Sequence, residues 1–164
     1  MSVSLYGSGQ TVIQVVQGSL NSIFSTASGA ASPAATGLSA SITPQATTSK
    51  ILVIVYSGVI SSSSATTYGL MLYRGATKIC FGNAYSSADQ GAIGGGNDGG
   101  YRGWPASIVY LDSPSTTSAT TYSVSMGGNA GATVYMNSDG RLAGTSNNQT
   151  VTPSTITLME ISGA

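Results

Sequence analysis

An all-β sandwich is the fold this sequence predicts, and three features predict it. Apolar residues alternate with Ser, Thr and Gln at a period of two along most of the chain. Short apolar segments are separated by Ser-, Thr- and Gly-rich connectors, as in sandwiches and barrels. No stretch shows apolar spacing of three and four, and only Asn21 to Ala31 leaves room for a short helix. The expectation is a jelly-roll-like antiparallel β-sandwich of about eight to nine strands, with residues 1–11 an N-terminal arm and 12–164 a single domain.

The strands follow in order. Val12 to Gln17 is the first. Leu38 to Thr43 alternates apolar and hydroxyl residues until Pro44, which cannot donate to a ladder. Lys50 to Tyr56 is apolar on both faces, as expected of a central strand covered from both sides. Tyr68 to Arg74 and Lys78 to Gly82 flank Gly75-Ala76-Thr77, a β-hairpin signature. Trp104 to Leu111 carries Pro105 at its start, one of the few places a strand tolerates proline. Tyr122 to Met126 alternates, Val134 to Met136 is closed by Asn137-Ser138-Asp139-Gly140, and Ile156 to Ile161 ends the series.

Two segments interrupt this rhythm. Ser25 to Gly37 is Ala/Ser/Gly-rich and reads as a loop or extended arm. Ala84 to Gly103 is glycine-rich and too long for a plain connector, so it is expected to pack on a neighbouring subunit through bare backbone. Met1, Val3, Leu5 and Tyr6 of the arm and Gly94, Gly95 and Gly96 of the loop are the candidate interface residues.

Composition narrows the function. Five basic and five acidic residues in 164, with no histidine, leave a surface built from Ser, Thr, Gly, Asn and Gln. Such a surface can lie against another protein without desolvating ions. Zero net charge argues against nucleic acid and anionic membrane as partners. Mean hydropathy is +0.19, with nine tyrosines, which argues against disorder. The single Cys80 excludes an internal disulfide. The N-terminus has no basic segment followed by an apolar one, and the apolar run Ile51 to Tyr56 is far short of a bilayer span, so synthesis in the cytoplasm without a targeting signal is expected.

Catalysis is disfavoured on the same grounds. A Ser-His-Asp triad needs histidine, and zinc loses its usual ligands. Gly94 to Gly99 fits G-x-G-x-x-G but lacks the flanking strand and helix of a dinucleotide site. Asp89, Asp98 and Asp139 lie in loops where a calcium ion would find carbonyls, yet Asp in such turns normally bonds its own backbone. Asp112 is expected to organise the turn at Ser113-Pro114, and Glu160 has Lys50, Arg74 or Lys78 as candidate partners. No catalytic residue, metal site or cofactor is expected. Tyr85, Tyr101 and Trp104 form a candidate saccharide-stacking set; against that, Trp104 at a strand start is expected to pack in the core.

Ser49 to Val53, Leu72-Tyr73-Arg74-Gly75, Leu111 to Thr117 running into Thr120 to Val124, and Ser154 to Ile161 resemble, in order and spacing, a module of tailed-bacteriophage virion proteins. Val12 to Val16 is similar to its start, while Thr152-Pro153 stands where the module often has Arg-Gly. The resemblance spans nearly the whole chain. It implies a jelly-roll-like sandwich, commonly a homotrimer, with no catalytic residues. It further implies a structural protein on the virion surface, made in the host cytoplasm, with other virion proteins such as the major capsid protein as partners. Two roles follow: a capsid decoration (cement) protein, or a tail-fibre or spike head that binds a host receptor through saccharide. A first strand beginning near residue 12 leaves room for an arm but not a shaft, which favours cement.

Overall fold

The computed structural model describes residues 9–83, 90–97, 103–129, 131–139 and 150–162. The alternating segments become strands, and the described residues contain no helix. Eleven strands form: β1 (Val12–Leu20), β2 (Phe24–Thr26), β3 (Ala34–Ile42), β4 (Lys50–Ser62), β5 (Thr66–Arg74), β6 (Thr77–Ile79), β7 (Ile93–Asn97), β8 (Trp104–Asp112), β9 (Thr120–Gly128), β10 (Val134–Met136) and β11 (Ser154–Ile161).

They build two antiparallel sheets in a sandwich. The six-stranded sheet runs β1-β11-β4-β10-β2, with β8 on the other edge of β4; the five-stranded sheet runs β3-β9-β5-β6, with β7 also on β5. Between the sheets, Ile51, Val53, Val55, Ile156 and Leu158 meet Leu38, Leu70, Leu72, Tyr122 and Val124 in one core cluster. Each such side chain contributes about 1.5–3 kcal/mol by leaving water.

All nine strands read from the sequence are present. The possible helix over Asn21 to Ala31 is not: β2 lies there, pairing with β10. Ser25 to Gly37 is likewise no free arm, since Ala30 N donates to Gly128 O at 2.9 Å and β3 already starts at Ala34. The long glycine loop contains β7, so Gly94, Gly95 and Gly96 are strand residues paired with β5.

β4 organises the six-stranded sheet. One edge pairs with β11 over its first half and with β10 over its last residues; the other edge pairs with β8. Ile51, Val53 and Val55 point into the core, while Leu52 and Ile54 are half-buried and Tyr56 is exposed on the outer face. Coverage from both sides, expected from the sequence, is therefore a correction: the second sheet covers one face of β4 only.

A bulge between Ser57 and Ile60 interrupts β4 where β11 gives way to β10. Three of its freed backbone groups are taken up. Gly58 N–H donates to Ser154 Oγ at 2.9 Å, Val59 N–H to Thr152 Oγ1 at 2.8 Å, and Val59 O accepts from Asn137 N–H at 2.8 Å. A side chain at Gly58 has no room, because a Cβ there would lie 2.3 Å from Thr152 Oγ1 and 2.5 Å from Asn137 Oδ1.

Candidate interaction surfaces

Met1, Val3, Leu5 and Tyr6, together with Tyr85 and Tyr101, lie outside the described residues, as do Asp89 and Asp98. Gly94 to Gly96 serve an intramolecular purpose. A Cβ on Gly95 would lie 2.5 Å from the Tyr68 ring, so the ring packs on bare backbone. Trp104 corrects the expectation of a core residue. It sits at the start of β8 opposite Ile60 and is 65% exposed.

Asp112 also departs from its expected turn role. It is buried and accepts both Arg74 Nη1 at 2.9 Å and the Tyr122 hydroxyl at 2.6 Å. Strand pairing puts the three together: Arg74 is opposite Tyr122 across β5 and β9, and Asp112 faces them from β8. Glu160 is fully buried in β11. Its Oε1 accepts Gln45 N–H at 2.7 Å rather than a basic residue. Lys50 Nζ instead donates to Ser113 Oγ, and Lys78 Nζ to Gln90 O. Glu160 Oε2 has no partner among the described atoms, and neither does Oε1 of Gln14, directly opposite on β1.

Burial, the hydrogen bond to Asp112 and its negative charge push the Tyr122 phenol far above the usual tyrosine range. The folded protein thus holds this proton more tightly than the unfolded chain, whose tyrosine titrates near about 10. Its contribution is complete below that pH and is lost as pH rises above it, at up to about 1.4 kcal/mol per pH unit. Absorbance titration should show Tyr122 ionising only as the protein unfolds, and Tyr122→Phe should flatten the alkaline loss of stability. A normal titration of Tyr122 in the folded state would contradict this.

An open cleft of about 590 Å³ lies on the five-stranded sheet, bordered by Thr67, Met71, Asn83, Gln90, Ile93 and Asn129. Among the described residues no charged side chain lines it, and its polar groups are partly spent on each other: Thr67 Oγ1 donates to Asn129 Oδ1, and Gln90 Nε2 to Gly82 O. Among the described residues no three His, Cys, Asp or Glu side chains come together.

The outer face of the six-stranded sheet is different in kind. Register places Val15, Met159, Leu52 and Leu111 in one row across β1, β11, β4 and β8. The next row is Gln17, Thr157, Ile54 and Val109, and the one after it Ser19, Thr155, Tyr56 and Ser107. Val15 is 57% exposed, Val109 65% and Leu111 53%. Of the exposed large hydrophobic residues among those described, only Phe81 and Val151 lie outside this sheet. Exposed apolar areas of this kind mark interaction sites. The sequence signalled it through the doubly apolar β4; the alternation of β1 and β8, with apolar residues on both parities, is the second signal. No protein-family model matches this chain, and no curated protein is similar to it.

Proposed function

We propose that this chain is a non-enzymatic structural protein of a bacteriophage virion, a homotrimeric capsid decoration protein bound to other virion proteins such as the major capsid protein. The observation that carries it is the apolar, nearly uncharged outer sheet face on a molecule with ten charged residues in all. A surface of that composition favours permanent protein contact over steering, ion binding or acid–base chemistry. The ordered resemblance of its strands to a virion module supports the same reading. So do Asp112 and Glu160, which lie inside the sandwich and accept structural hydrogen bonds instead of facing each other across a cleft.

The exposed Trp104 favours a second reading, a fibre or spike head that stacks a host saccharide on this ring. Quantitative mass spectrometry of purified particles separates the two. A decoration protein is present at hundreds of copies, and Trp104→Ala leaves host adsorption unchanged. A few dozen copies or fewer, with adsorption lost in Trp104→Ala, would replace cement by the fibre head.

A further inference from the structure

We infer that the outer face of the six-stranded sheet is the contact between copies of this chain, three of which set these faces around a common axis. This takes the trimer proposed above and assigns the surface that makes it. β4 is built like a strand covered on both sides, yet the second sheet covers only one; Leu52, Ile54 and Tyr56 face outward. The row Val15–Met159–Leu52–Leu111 continues that apolar stripe across all four neighbouring strands.

Charge favours a copy of the same chain as occupant. Lys50, at one end of the face and bonded to Ser113, is the only charged residue in the outward positions of these strands. Identical faces therefore meet without repulsion and without stripping water from ions. Size fits too. Four strands spaced about 4.8 Å apart, over about seven residues at 3.3 Å, give a face of about 19 by 23 Å. Side-chain relief brings its accessible area toward the roughly 800 Å² per partner of a stable interface.

The edges suit a ring. β1 pairs only with β11 and β8 only with β4 among the described strands, so they are the two borders of the face. Around a three-fold axis the β1 border of one copy meets the β8 border of the next, a head-to-tail contact that closes at three. Val15 then lies beside Leu111 of the neighbouring copy, with Met159 and Leu52 nearest the axis.

Light scattering after size exclusion tests this on the full chain. Wild type is expected at about three times the 16.3 kDa of one chain, and the double variant Val109→Lys, Leu111→Lys at one. Circular dichroism should be unchanged, because both positions are exposed. Ser41→Lys, on the exposed side of β3, should stay trimeric. As a second readout, Val15→Cys, Leu111→Cys in a Cys80→Ser background should give, with a short bismaleimide, covalent species that stop at three chains. A trimer that survives Val109→Lys, Leu111→Lys, or cross-linking that stops at two, overturns the assigned face but leaves the trimer. A monomeric wild type overturns self-association altogether, while the copy-number measurement still decides the virion reading.

Discussion

Replacing Asn137 with alanine is expected to cost about 3 kcal/mol of folding stability. Asn137 is fully buried and holds a left-handed backbone, φ 70°, which asparagine tolerates and alanine resists. Its Nδ2 donates to Leu20 O at 2.8 Å and to Ser22 O at 2.9 Å, fixing the end of β1. Its Oδ1 accepts from Ser154 Oγ at 2.6 Å, and that hydroxyl in turn caps Gly58 N–H in the β4 bulge. Alanine would leave the buried Ser154 hydroxyl and the half-buried Leu20 carbonyl without this partner, release the exposed Ser22 carbonyl to water, and add backbone strain. Asn137→Gly removes the strain but not the orphans, so it should recover about 1 kcal/mol of the loss. Urea unfolding followed by circular dichroism measures both. Losses below about 1 kcal/mol for both variants would show that the bulge does not depend on this residue.

Asp112→Ala is expected to cost about 3 kcal/mol, because it strips the network of its acceptor, leaving the buried Tyr122 hydroxyl without a partner and the partly exposed Arg74 guanidinium with only its 3.4 Å bond to Ser113 O. In a chain of this size that is a fall of roughly 10 °C in melting temperature. Asp112→Asn keeps an oxygen for the Tyr122 hydroxyl and should lose less. Removing the whole network with Arg74→Met, Asp112→Leu and Tyr122→Phe should be much milder than Asp112→Ala, since apolar replacement of an entire buried polar group leaves no orphan. A triple variant less stable than Asp112→Ala would mean that the network itself, not its completeness, holds this end of the sandwich.

The architecture was legible because period-two alternation is a direct imprint of burial on one sheet face. It failed where strands carry no such imprint. β7 is Ile-Gly-Gly-Gly-Asn and holds its place by main-chain pairing to β5, so its composition reads as loop. β2 is three residues long and pairs only at the edge of its sheet. Asn137 and Asp112 have the residue types of turns, and nothing in their neighbours reveals the buried partners brought from 117 and 38 positions away. Trp104 misled for the opposite reason: size and strand position argue for burial, and only the register opposite Ile60, beside the β4 bulge, accompanies its exposure. The apolar outer face was half visible. Leu52 and Ile54 showed that β4 wanted cover on both sides, but only the pairing of β1, β11, β4 and β8 aligned their outward residues into one surface.

Sedimentation equilibrium of the wild-type chain in chelator tests most directly whether this surface is built for assembly. At micromolar concentration a metal-independent trimer is predicted, with a mass about three times 16.3 kDa and no shift on adding calcium. A single species of 16.3 kDa under the same conditions would contradict it.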